Sequence, residues 1–127
     1  MKGDLAKKRG KGGYGMKKVL VVDDSTTIRK LFQIIFKKRS EEIDFAEDGE
    51  RGISKIKEFS PDIIFLDANM PGKSGWEVLE YVKKKYPNIY VILMTAEEEV
   101  KSSTSPDKIL RKPFQMGDVR TILDTLL

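Results

Sequence analysis

The sequence contains no cysteine and no histidine. Without cysteine, disulfides, zinc–thiolate sites and thiol catalysis are excluded. Without histidine there is no histidine-dependent triad, no imidazole general base and no histidine to be phosphorylated within this sequence. Long apolar runs are missing too. None approaches the ~20 residues that a membrane-crossing helix needs, and residues 1–18 lack the apolar segment of a signal peptide. What is present is 127 residues, 39% apolar and 35% charged. That suffices for one domain with a real core and is too apolar for a disordered chain.

The formal charge of +4 suggests an acidic or nucleic-acid partner until it is located. Residues 1–18 carry seven Lys/Arg and one acid, Asp4, for a net of +6, whereas residues 19–127 carry 17 basic and 19 acidic residues, for a net of −2. The basic excess therefore belongs to the start of the chain. The segment MKGDLAKKRGKGGYG has no periodic apolar face and reads as a flexible leader over residues 1–16. It is a cloning remnant, a native extension or a weak electrostatic anchor, and the domain proper is expected over 17–127. Its glycines do not make a phosphate loop, because such a loop follows a strand and opens a helix.

After Met16 short apolar runs alternate with helical patterns. Val19–Val22 and Ile63–Leu66 are continuous apolar runs, as expected of strands covered on both faces. Ile43–Ala46, Val91–Met94 and the pair Ile109 and Leu110 mark three more strands. Ser25 or Thr26 caps a helix whose Ile28, Leu31, Phe32 and Ile35 form one stripe. Asp48 or Gly49 opens a second helix with Ile53 and Ile56. After a loop with Pro71, Gly72 and Gly75, a third helix carries Trp76, Leu79, Val82 and Tyr86, and Pro87 stops it. A last helix carries Val119, Ile122, Leu123 and Leu126. This alternation predicts a parallel sheet with helices on both faces and right-handed crossovers.

Asp23, Asp24, Asp67, Thr95 and Lys112 share one property: each lies at the carboxyl end of an apolar strand. In open α/β sheets ligands bind there, beside the point where strand order reverses. Three carboxylates in one pocket repel, which raises at least one pKa, and a hard divalent cation such as Mg²⁺ relieves this. A hydroxyl and a lysine beside them suit a phosphoryl group, and a carboxylate can act as nucleophile to form an aspartyl phosphate. Each piece alone has a plainer explanation: a helix cap, a turn residue, a solvated lysine. The conjunction favours function.

The residues resemble the receiver domains of two-component response regulators, especially single-domain chemotaxis-type ones. The resemblance covers about residues 17–127 and rests on VLVVDDS, LDANMPGKSGWE, the MTA at Met94–Ala96 and Lys112-Pro113-Phe114. It implies a flavodoxin-like, doubly wound five-stranded parallel sheet of order 2-1-3-4-5. It implies that a partner histidine kinase or histidine phosphotransfer protein phosphorylates Asp67. Asp24 and Asp67 would bind Mg²⁺ directly with the backbone carbonyl of Asn69, and Asp23 mainly through water. Thr95 would donate its hydroxyl to a phosphoryl oxygen and Lys112 would pair with the phosphoryl charge. Small Ala96 would leave the site open, and the Lys112–Pro113 bond would be cis.

The same resemblance implies a cytoplasmic signalling domain rather than an enzyme. It would act on a downstream protein target, with no DNA-binding domain and no membrane span. Two departures from the family pattern stand out. Ile109 occupies the position, three before the lysine, where the family usually has an aromatic residue that rotates in switching. The stretch from Thr95 to Lys112 is shorter than usual, and EEEVKSSTSPD (97–107) has one apolar residue, Val100, so the fourth helix is expected to shrink to one or two turns or to a loop.

Three other functions fit the sequence less well. An aspartyl phosphohydrolase is disfavoured by Asn69, which stands where such enzymes carry a second Asp, and by the lack of room for a cap domain. A pseudo-receiver that binds partners without phosphorylation is disfavoured by the intact Asp23, Asp24, Asp67, Thr95 and Lys112. Nucleic-acid binding by the basic leader would be weak and salt-sensitive.

Overall fold

The computed structural model describes residues 17–127, so the leader expected over residues 1–16 lies outside the described residues. Nine elements follow in order: β1 (Lys18–Val22), α1 (Thr26–Phe36), β2 (Glu42–Ala46), α2 (Gly49–Phe59), β3 (Ile63–Asp67), α3 (Gly75–Lys85), β4 (Tyr90–Thr95), β5 (Lys108–Arg111) and α4 (Met116–Leu126). The strands form one parallel sheet of order β2-β1-β3-β4-β5. The doubly wound, flavodoxin-like order expected from the sequence is borne out.

The continuous apolar runs are buried on both sides, and side-chain alternation sorts them. Val19, Val21, Ile63, Phe65, Ile92 and Met94 pack with residues of α1 and α4. Leu20, Val22, Ile64, Leu66, Val91 and Leu93 pack with residues of α2 and α3. A one-residue register slip in any of these strands would exchange the two sets of contacts. The helix starts are set by local chemistry. Ser25 Oγ accepts the N–H of Ile28 at 3.2 Å, Asp48 Oδ1 that of Arg51 at 2.8 Å, and Ser74 with Glu77 forms a reciprocal capping box.

No helix joins β4 to β5; residues 97–107 are irregular. Val100 is 59% exposed, so the segment has no apolar stripe to bury, and packing of such a stripe is what stabilises most short helices. The segment is tied down by polar contacts instead. Ser102 Oγ donates to Glu80 Oε2 of α3 at 2.7 Å. At its far end, Asp107 N–H donates to the Val91 carbonyl at 2.9 Å, Asp107 Oδ2 accepts the Val91 N–H at 2.8 Å, and Lys83 pairs with the same carboxylate. Asp107→Ala is therefore expected to cost about 1–2 kcal/mol in urea denaturation and to speed hydrogen exchange at the Val91 N–H. Unchanged exchange there would show that the clamp does not hold the segment.

Candidate functional site

Register alone brings the strand-end residues together. Val22 of β1 pairs with Leu66 of β3, so the next residues, Asp23 and Asp67, emerge side by side. Asp67 pairs with Met94 of β4, and the Ala68 N–H donates to the Met94 carbonyl at 3.0 Å, which brings Thr95 to the same tier. Thr95 pairs with Arg111 of β5, and the Lys112 N–H donates to the Thr95 carbonyl at 3.0 Å. Strand order reverses at β1, between β2 and β3, where Asp23 and Asp67 lie.

One carboxylate oxygen from each of Asp23, Asp24 and Asp67 lies within 4.8 Å of the others. Asp23 is fully buried, Asp67 is 3% exposed, and Asp24 is exposed and opens the group to solvent. Lys112 Nζ lies 3.1 Å from Asp67 Oδ1 and 3.4 Å from Asp23 Oδ2. The N–H of Asn69 donates to the same Asp67 Oδ1 at 3.3 Å. Asp23 Oδ1 accepts the Ser25 N–H at 2.8 Å. Thr95 is buried, and its Oγ1 accepts the Glu97 N–H at 3.0 Å, which leaves the hydroxyl proton free to be donated. Ala96 is exposed, and the Lys112–Pro113 bond is cis, as the family resemblance implied.

Three carboxylates face one ammonium, and the imbalance shows in their protonation. Burial, followed by the charge of Asp23, pushes Asp67 up to about 6, against the pull of Lys112 and the Asn69 N–H. Burial likewise raises Asp23 despite the Ser25 N–H and Lys112. Burial works against the charge on Lys112, but Asp23 and Asp67 more than offset it, so its pKa is raised. The repulsion left over, the all-oxygen donor set and the exposed face at Asp24 fit a hard divalent cation.

Supporting residues were less visible in the sequence. Arg29 Nη1 donates to the Asp23 carbonyl at 2.8 Å and braces the turn after β1. Gly75, expected in a loop, is the first residue of α3, and its N–H donates to the Ala68 carbonyl at 2.9 Å. The Ser74-x-x-Glu77 spacing is the signal that places the helix start there. The Glu97 carbonyl accepts from the Arg111 guanidinium and its carboxylate from Lys101 Nζ at 3.1 Å, so the residue after Ala96 links the site to the edge strand.

Comparison with known proteins agrees with this geometry. The family model described as the response regulator receiver domain matches residues 19–124. Chemotaxis protein CheY of Halobacterium salinarum is 32% identical over 116 residues, covering 87% of this chain and 97% of that protein. CheY4 of Vibrio cholerae superposes with a TM-score of 0.80 at 28% identity, covering 89% of this chain and 100% of that one. Response regulator protein TrrA of Thermotoga maritima, solved in complex with Mg(2+)-BeF, gives a TM-score of 0.77 at 36% identity, with 88% and 100% covered. Among the described residues no helix is long and apolar enough to cross a membrane. With the family model spanning most of the sequence, the chain belongs to the response regulator receiver domains of two-component signalling.

Proposed function

We propose that Asp67 accepts a phosphoryl group from a phosphohistidine on a histidine kinase or histidine phosphotransfer protein. Its phosphorylation would then switch contacts with a downstream protein in the cytoplasm. The observation that carries this reading is a nearly buried carboxylate held 3.1 Å from Lys112, with Asp23 and Asp24 within 4.8 Å. With no histidine in the sequence, the donor imidazole lies outside it.

Asp67 Oδ1 takes both hydrogen bonds, from Lys112 and from Asn69, which leaves Oδ2 to attack. Oδ2 forms the new P–O bond as the P–N bond of the donor breaks, and the electron pair of that bond stays on the imidazole nitrogen. Asp24, Asp67 and the Asn69 carbonyl would hold Mg²⁺, with Asp23 reached through water. When bound, the ion supplies the positive charge that offsets the crowded oxygens. Lys112 pairs with the charge gained, and Thr95 donates its free proton to a phosphoryl oxygen. The domain is a phosphoacceptor, not a turnover enzyme. A relative at 36% identity solved with Mg(2+)-BeF supports the pairing of cation and site.

Ile109 replaces the usual aromatic, so the outward route is polar. Moving the Thr95 hydroxyl disturbs the Glu97 N–H, and Glu97 in turn engages Arg111 and Lys101. Acetyl phosphate with Mg²⁺ should add one phosphoryl mass to the intact protein, and chelation of Mg²⁺ should prevent it. No added mass, under conditions that label a control receiver, would leave a pseudo-receiver that binds partners without phosphorylation.

A further inference from the structure

In a parallel sheet the N-terminal ends of all strands and the C-terminal ends of the helices gather at one pole, opposite the carboxylates. Here that pole comprises residues 17–18, 37–42, 57–62, 83–90, 107–108 and 124–127. These segments hold ten basic and six acidic residues, a net of +4. The rest of residues 17–127, including the Asp67 site, is net −4. A chain of modest overall charge is thus strongly polarised.

Lysines at helix C-termini also suit the helix dipole. That accounts for some of them, but not for Lys108 at a strand start. Lys37, Lys38, Lys57, Lys84, Lys85 and Lys108 are all exposed. Apolar groups stand among them. Lys85 Nζ lies 5.7 Å from the Tyr81 ring centre and 5.9 Å from that of Tyr86, and Lys18 Nζ lies 5.4 Å from that of Phe59. Lysine stems beside half-buried aromatic rings suit a boundary that is charged outside and apolar beneath.

We infer that this basic pole docks on an anionic lipid bilayer surface and leaves the Asp67 pole facing solution for its phosphodonor. The composition separates this partner from nucleic acid. Nine of the ten basic residues are lysines, point charges suited to a diffuse surface potential, and the single arginine, Arg39, is already engaged by Glu41 and Asp124. The charges ring the ends of several elements rather than lining one helix or a stacking groove.

The test is co-sedimentation of the full chain with vesicles of phosphatidylcholine alone or with phosphatidylglycerol added. Binding is expected only to the anionic vesicles. It should be lost between about 0.1 M and about 1 M salt, as the screening length falls from about 10 Å to about 3 Å. Each near-surface lysine contributes about fivefold, so Lys84→Gln/Lys85→Gln and Lys37→Gln/Lys38→Gln should each weaken binding more than about tenfold. Labelling by acetyl phosphate should persist in both, which reports an intact fold. The inference is overturned by absent binding, or by equal binding to neutral vesicles. It is equally overturned by tighter binding to duplex DNA, or by binding that only Lys7→Gln/Lys8→Gln/Arg9→Gln reduces.

Discussion

Asp67→Asn is expected to abolish phosphorylation by acetyl phosphate and, at pH 8, to make the protein more stable than the wild type. The first effect follows from removing the nucleophilic carboxylate. The second follows from protonation. The Asp67 pKa is raised from 3.8 to about 6 by burial and by Asp23. Between those values the folded chain holds a proton that the unfolded chain has released. Wild-type stability therefore falls as pH rises from about 4 to about 6, and the full penalty is present above 6. That interval corresponds to about 3 kcal/mol as an upper bound, so the neutral amide should gain about 1–3 kcal/mol at pH 8 and nothing below about pH 4.

Urea denaturation at the two pH values measures this directly. Parallel pH profiles for variant and wild type would mean that Asp67 is not held against its charge. Lys112→Met should act in the opposite direction at pH 8, because it leaves two buried carboxylates facing each other without the ammonium now 3.1 and 3.4 Å away.

Gly75→Ala is expected to destabilise the protein by at least about 3 kcal/mol. Helix propensity argues the other way, since alanine in a helix is favoured over glycine by up to about 1 kcal/mol. Space decides the sign. A Cβ on Gly75 would fall 2.0 Å from the Asp67 carbonyl oxygen and 2.6 Å from the Ala68 Cα. Those atoms are backbone at the end of β3 and cannot step aside as a flexible side chain does. Either α3 lifts from the sheet or the Asp67 backbone moves, so phosphorylation should slow as well. Gly117→Ala is the control, because in α4 an added Cβ meets nothing within 4 Å. Equal stability of the two variants would show that the contact at Gly75 is loose.

Much of this molecule is legible in short stretches of sequence. VLVV and IIFL announce strands covered on both faces, and the stripes in α1 and α4 announce the layers that cover them. EEEVKSSTSPD, with Val100 as its one apolar residue, announces that no packed helix joins β4 to β5. The acids after β1, Asp67, Thr95 and Lys112 stand out because each ends a strand. These signals are local: periodicity of 2 or 3.6, the caps, and the residue type at a strand end all act within a few positions.

Other features have no local signature. Lys112 is 89 residues from Asp23, and their 3.4 Å contact exists only because four strands share one register. The Thr95 oxygen could have faced Asp67, yet it takes the Glu97 N–H. The requirement for glycine at position 75 comes from the backbone of β3, and the basic pole collects charges scattered from Lys17 to Lys108. By itself the sequence determined which residues carry the chemistry and which segments build the sheet. The tertiary structure decided their distances, their burial and hence their protonation. Those quantities depend on which distant segments become neighbours and how much water they exclude.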